Sequence, residues 1–474
     1  MSSLKLLNKA ALKDIQGIII SGYGHLPYAG YLFLTLSDTV KAKDWLSLMI
    51  PRITVAQRTE GSGGKNEPEY AINIAFTNTG IEKFNLPFVS GFSEEFTEGI
   101  AEEHRARRLG DDGNSAPELW EIKEKNIHLL LMIQAPSASL LKELSDEIAK
   151  QYQEYGITEG APSQHGFQPA DNKEHFGFTD NISQPFIENS PANPNGQQSC
   201  VRAGEFILGY HNEYNLIPPT PTLKAEDDLQ GNLPVLYFDN KLKDFGHNGT
   251  YLVFRKLYQD VAKFNAYLEA NTRDQAHRDL VAAKFVGRWP SGTPLVLSPD
   301  ADNPDIKDKN AFFYMNNDAE GMKCPHGAHI RRVNPRDSLG ADPIQSLQTV
   351  NRHRILRRGI RYGERLSGVR DDGADRGLLF VCINADIRRQ FEFMQQSWMN
   401  NPKFADLYND RDPITGNNKD LEDDTGAYDM TIPSTPVREK FKGMPRFVHV
   451  KGGAYFFLPG IASLYCLAGA KRPD

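Results

Sequence analysis

The chain has 474 residues, 39% hydrophobic and 24% charged, an ordinary globular composition at a length that favours more than one core. A formal net charge of -7 gives no general attraction to phosphate backbones or anionic lipid, which argues against nucleic acid as a partner. No stretch of about 18 consecutive apolar residues occurs, as a membrane span would need, and residues 1–17 contain no continuous apolar run of the kind that directs export, so a cytoplasmic location is expected.

In chain order, Tyr31–Ser37 (YLFLTLS) predicts a strand, followed by a helix near Lys41–Met49. Two apolar runs, Ile72–Thr77 and Ile127–Gln134, predict further strands. The second leads into a helix behind a Ser137 cap, with Leu140, Leu141, Leu144 and Ile148 on one face. The pattern recurs in the second half. Thr250–Leu257 and Gly377–Asn384 read as strands, each followed by a helical stretch. The repetition predicts two α+β units, each an antiparallel sheet with flanking helices. The Pro/Asn-rich segment Asn189–Ser199 suggests the boundary, giving domains 1–195 and 196–474. Pro290–Asn310 and Asp410–Arg438 read as long irregular excursions, and such loops tend to carry function. Four scattered cysteines (Cys200, Cys324, Cys382, Cys466) form no CxxC pair and fit a reducing compartment.

Three segments carry chemistry. In Lys323–Arg336 (KCPHGAHIRRVNPR), a histidine precedes two arginines and a helix-stopping Asn334-Pro335. A neutral imidazole beside guanidinium groups suits an iron ligand whose macrocycle carries anionic propionates. A purely structural histidine, or a zinc set of Cys324, His326 and His329, also fits this segment taken alone. In Phe176–Pro185 (FGFTDNISQP), Asp180 is a candidate acid-base group, with an Asx-rich turn as the plainer reading. In His353–Gly363 (HRILRRGIRYG), Arg357 and Arg358 are neighbours on a strand, so only one of them can face a given site.

Together these segments resemble the dye-decolourising peroxidase family. Gly327–Arg336 is similar to the family's proximal-ligand segment. Phe176–Pro185 resembles its GxxDG distal motif, with Gly177 and Asp180 in place and Asn181 where the family has glycine. His353–Gly363 resembles its distal-arginine segment, whose pattern selects Arg357. Asp14–Gly17, Gly204–Tyr214, Asn248–Val261 and Gly452–Gly460 extend the similarity over nearly the whole chain.

The resemblance implies two ferredoxin-like domains and one haem b per chain, held mainly by the C-terminal half. His329 would be the axial iron ligand, with Asn181, Ile182, Ser183, Asn334, Pro335, Arg336 and Arg357 around the cofactor. It implies a peroxidase in which hydrogen peroxide is the two-electron oxidant and an organic donor, a dye or phenol, returns electrons one at a time. Asp180 would shuttle the peroxide proton, and Arg357 would stabilise developing charge.

A carboxylate, titrating near 3.9 against about 6.5 for imidazole, keeps such a base competent in acid, so an acidic optimum is expected. Asp386 and Glu392 are the candidates for an acceptor behind His329. Trp289, Trp398 and several tyrosines could relay electrons from the surface, and Tyr455–Leu458 could wall the pocket. A haem-carrying protein of the same fold with weakened peroxidase chemistry is the alternative reading, motivated by Asn181. A homo-oligomer is compatible with the sequence.

Overall fold

The computed structural model describes residues 7–57, 67–191, 200–420 and 428–473. The first half contributes β1 (Tyr28–Leu36), α1 (Thr39–Met49), β2 (Ala71–Phe76), β3 (Leu129–Ala135), α2 (Ala138–Glu154) and β4 (Ile157–Phe167). The second contributes β5 (Thr250–Gln259), α3 (Val261–Asn271), α4 (Gln275–Val286), α5 (His329–Val333), β6 (Leu356–Arg357), β7 (Ile360–Tyr362), β8 (Gly377–Asn384), β9 (Val448–Leu458) and α6 (Ile461–Ala468). Shorter strands and helical turns lie between them.

Antiparallel pairing orders the first four strands β2-β3-β1-β4, and the second set runs β6-β8-β5-β9. Each half therefore has its last strand beside its first and its third beside its second, the order of a β-α-β-β-α-β ferredoxin-like unit. The halves join edge to edge where Phe457 of β9 meets Phe76 of β2. The domain boundary expected at 195/196 lies outside the described residues.

The inner strands β1, β2, β3, β5 and β9 are buried on both faces because both faces are covered, whereas the edge strand β4 is largely polar and partly exposed. In β1, Leu32, Leu34 and Leu36 point into the core beneath α1 and α2, while Tyr31 and Phe33 point into a second core on the other side. Both helices begin as the sequence suggests. Asp38 accepts from Lys41 N and Ser137 from Leu140 N, and α2 buries Leu141, Leu144, Ile148 and Tyr152.

Two expectations need correction. The stretch after β8 is two π-helical segments, Arg388–Glu392 and Met394–Met399, rather than an ordinary α-helix. The excursion Asp410–Arg438 is not irregular throughout, since its Met430–Ile432 forms a strand paired with Glu439–Phe441. Among the described residues no helix is long and apolar enough to cross a membrane.

Candidate active site

A cavity of about 280 Å³ opens between the second sheet, the α5 segment and the turn before residue 185. That turn is built by Glu174. Its carboxylate accepts from Phe176 N and Phe178 N (2.8 Å each) and from Gln259 Nε2 (2.6 Å). Gly177 (φ 96°) and Asn181 (φ 62°) take left-handed conformations. Asparagine is the residue best suited to replace glycine there, which explains how the turn tolerates Asn181. Asp180 N donates to Asn172 O (2.8 Å), while Asp180 Oδ1 accepts from Asn181 N (2.6 Å) and from Arg357 Nη1 (2.8 Å).

Arg357 sits on β6, opposite Cys382 of β8, and its backbone N donates to Gln184 Oε1 (3.0 Å). Its neighbour Arg358 points the other way, donating to Ile18 O (2.7 Å) and Ile19 O (2.9 Å) and tying down the N-terminal segment. Strand alternation thus separates the two arginines: Arg357 joins Asp180 at the cavity and Arg358 does not.

His329 opens α5 and lines the same cavity. Its Nδ1 lies 2.8 Å from Asp412 Oδ2, and Asp412 Oδ1 accepts from Ile414 N and Thr415 N (2.9 Å each). Burial disfavours the charge on Asp412, but His329, the Thr415 amide and Arg332 outweigh it and hold the carboxyl below its ordinary range.

Asp412 therefore replaces both expected acceptors. Asp386 is engaged by Arg389, and Glu392 by Arg105 and Tyr455 Oη. The zinc alternative loses its geometry. His326 Nε2 is 3.0 Å from Ala319 O, Cys324 is buried with its thiol pushed up to about 11 by burial, and the described residues contain no group of three or more metal-ligating side chains.

Asn181, Ile182, Ser183, Asn334 and Arg336 all line the cavity, whereas Pro335 does not and instead accepts from Ser338 with its carbonyl. Arg336 donates to Asn310 O and Phe312 O (2.9 Å each), with its guanidinium carbon 3.8 Å from the centre of the Phe312 ring.

Sequence reasoning passed over Arg354. Its side chain is buried at the cavity and donates no hydrogen bond to the described residues. Burial, with Arg336 and Arg357 nearby, pulls its guanidinium down to about 9. The signal was present, since Arg354 and Arg357 share the arginine-rich run. Tyr455, Phe456 and Phe457 belong to the two sheet cores, and from β9 it is Val448 and Val450 that reach the cavity wall. Trp289 and Trp398 are both buried, so neither is a surface entry point.

Two family profiles match the chain: the DyP dimeric alpha+beta barrel domain over residues 14–160, and the Dyp-type peroxidase C-terminal domain over 224–415. A dye-decolorizing peroxidase from Mycena epipterygia is 30% identical over 517 residues, covering 98% of this chain and 88% of the relative. The chain belongs to the dye-decolourising peroxidase family. A second relative, from Exidia glandulosa, is 29% identical over 95% of this chain and 86% of its own length.

Among solved structures, a dye-decolorizing peroxidase in complex with 2,6-dimethoxyphenol superposes with a TM-score of 0.78 at 28% identity, covering 96% of this chain and 99% of that one. A fungal DyP-type peroxidase from Auricularia auricula-judae gives 0.78 at 27% identity, covering 99% and 100%. The protein is thus a dye-decolourising-type peroxidase, an oxidoreductase of a family of haem enzymes that uses hydrogen peroxide to oxidise organic donors.

Proposed function

We propose that His329 would hold the iron of a haem b in this cavity, and that Asp180 and Arg357 would act on hydrogen peroxide there. The observation that carries the reading is that the His329–Asp412 pair and the Asp180–Arg357 pair line one cavity. The residues fit the cofactor on chemical grounds. With Nδ1 committed to Asp412, His329 Nε2 makes no hydrogen bond to the described residues and keeps its lone pair for iron. Among the described residues Arg354 is a buried cation with no carboxylate partner, and Asn334 Oδ1 is buried without a hydrogen-bond partner. Arg354 answers to an anionic propionate better than to anything in the protein. Haem, when bound, supplies the redox equivalents that peroxide and donor exchange.

The remaining chemistry belongs to the side chains. The Asp180 carboxylate accepts the proton from the near oxygen of hydrogen peroxide and returns it to the departing oxygen, which leaves as water. Arg357, held on β6, stabilises negative charge as the O–O bond lengthens and keeps Asp180 oriented meanwhile. Asp412 fixes the His329 tautomer and makes the imidazole the stronger donor. Phenols and dyes are the donors we assign, in keeping with the relative solved with 2,6-dimethoxyphenol. The division into domains 1–195 and 196–474 and a cytoplasmic location are part of the same proposal. The buried, unpaired thiols of Cys324, Cys382 and Cys466 support the latter.

The test is the absorption spectrum of haem-reconstituted protein before and after one equivalent of hydrogen peroxide, with Asp180→Asn and His329→Ala alongside. The reading expects altered or lost haem ligation in His329→Ala. It expects a peroxide reaction slowed about 10²- to 10⁴-fold in Asp180→Asn, the usual worth of a general acid-base group. A wild type that binds haem but is only slowly bleached by peroxide would point to a haem carrier instead.

A further inference from the structure

Glu174 is a carboxylate that the reaction described above does not use. It stands just ahead of Asp180 and lines the same cavity. Its Oε2 accepts from Phe176 N (2.8 Å) and Gln259 Nε2 (2.6 Å), and its Oε1 accepts from Phe178 N (2.8 Å). Three donors shared between two acceptor oxygens suit an ionised carboxylate. A side-chain amide has one acceptor oxygen and would set its own NH₂ against a donor.

Two of the donors belong to the turn itself. Phe176 and Phe178 flank Gly177, whose left-handed backbone (φ 96°) reverses the chain, and both amides point back at Glu174. The third donor belongs to the other half of the chain. Gln259 ends β5, where its backbone N donates to Arg376 O (2.9 Å) and the residue pairs with Val448 of β9. β5 and β6 both flank β8, and β6 carries Arg357. Glu174 therefore fastens the turn that presents Asp180 to the sheet that presents Arg357, and across that joint Asp180 Oδ1 accepts from Arg357 Nη1 (2.8 Å). Thr179 Oγ1 donates to Pro290 O (2.9 Å) and Phe176 packs on Phe264 of α3 (ring centres 4.8 Å or closer, at 4.6 Å), so the turn has anchors that outlast the loss of Glu174.

We propose that Glu174 is a positioning residue for the peroxide reaction, holding the Phe176–Phe178 turn on Gln259 so that Asp180 and Arg357 meet peroxide together. The inference rests on the reading of Asp180 as the acid-base group, and Glu174 acts through that side chain rather than on peroxide. A proton moves only within hydrogen-bond reach, and a displacement of about 1 Å costs roughly 10²-fold in rate.

A double-mutant cycle over Glu174→Gln and Asp180→Asn tests this, read by rapid mixing of the haem-loaded protein with hydrogen peroxide. Glu174→Gln alone is expected to slow the peroxide reaction by roughly 10²-fold, and to slow it no further once Asp180 is replaced. An unslowed Glu174→Gln overturns the proposal. Equal losses in both backgrounds also overturn it, because that is the signature of general damage to the fold. Hydrogen–deuterium exchange of the haem-free protein reads the anchor without the cofactor. The peptide carrying Phe176 and Phe178 is expected to exchange faster in Glu174→Gln, with α2 unchanged, and unaltered exchange of that peptide refutes the anchor. Gln259→Leu removes the third donor and spares both turn amides; it is expected to slow the reaction less, and it takes the place of Glu174→Gln in the cycle if that variant does not fold. An Asp180→Asn variant as fast as wild type would sink the reading of Asp180 and the positioning role with it. Additive losses beside a slow Asp180→Asn would sink the role of Glu174 alone.

Discussion

Replacing Asp412 by asparagine changes one atom and forces a choice on His329, the haem ligand we propose. Asp412 uses Oδ2 to accept from His329 Nδ1 and Oδ1 to accept from the amides of Ile414 and Thr415. Asparagine has one acceptor oxygen. If that oxygen keeps the two amides, its NH₂ faces Nδ1, the imidazole must accept there, and its proton moves to Nε2, where it blocks ligation. If the oxygen turns to Nδ1–H, the NH₂ opposes two amide donors, and two buried hydrogen bonds worth about 0.5–1.5 kcal/mol each are lost.

The second arrangement alone costs about 1–3 kcal/mol, or roughly a 5- to 150-fold loss at 1.36 kcal/mol per decade. Outer-sphere partners of metal-bound histidines are typically worth about 10- to 100-fold in affinity, the same range. Soret titration of the haem-free protein measures the effect directly, with His329→Ala as the limit. An Asp412→Asn variant that binds haem with wild-type affinity and an unchanged ligand-field spectrum would refute the argument for the tautomer, and with it the role given to Asp412.

Arg354→Leu separates stability from cofactor binding. A buried guanidinium pulled down to about 9 binds fewer protons folded than unfolded between pH 9 and its ordinary range near 12.5, so stability rises with pH across that window and is penalised below it. The haem-free variant is therefore expected to melt at or above the wild-type temperature at pH 7, while haem affinity falls about 10- to 100-fold with the loss of a charge-assisted bond. A parallel fall in both would assign Arg354 to the fold instead. Asn181→Gly should change stability by less than about 1 kcal/mol, because φ is 62° there and glycine adopts it freely. Removal of a side chain from the cavity wall should favour bulky donors over small ones, and an unchanged ratio of kcat/KM values for a large dye and a small phenol would show that Asn181 does not gate access. Glu124 lies at the seam, accepting from Ile100 N (2.7 Å) and Tyr455 N (2.8 Å), and burial raises its carboxyl to about 7. A raised carboxyl contributes stability that is present below its unfolded value near 4.3 and lost as pH rises through about 7. The melting temperature should thus decline from pH 5 to 8 in the wild type and less so in Glu124→Gln, as calorimetry across that range would reveal.

The repeated unit was legible because its signals are local. Apolar runs of strand length, a serine cap at 137 and helical spacing through Ile148 are each read within a window of a dozen residues, and the structure keeps all of them. The π-helical character of Arg388–Met399 has no such signature. It lies where Phe391 and Met394 line the cavity and Glu392 pairs with Arg105 of the first half. Composition and period do not distinguish such a segment from an ordinary helix.

The same distinction governs the site. Asp180, His329 and Arg357 stand in segments that resemble the family's motifs, and that resemblance, rather than composition, picks them out. Asp412 lies 83 positions from His329, in an irregular loop whose only local feature is an Asp-Pro step, and proximity on the helix after β8 made Asp386 and Glu392 look better. Arg354 was hidden by attention to strand alternation, which separates Arg357 from Arg358 but says nothing about a residue just before the strand begins. What distinguishes Arg354 is the lack of an anion beside it, and a missing partner becomes visible only when every neighbour in space has been accounted for. Sequence reading therefore finds the groups we propose to act on peroxide. Structure is needed for the groups that hold them, since those are recruited by proximity and leave no pattern along the chain.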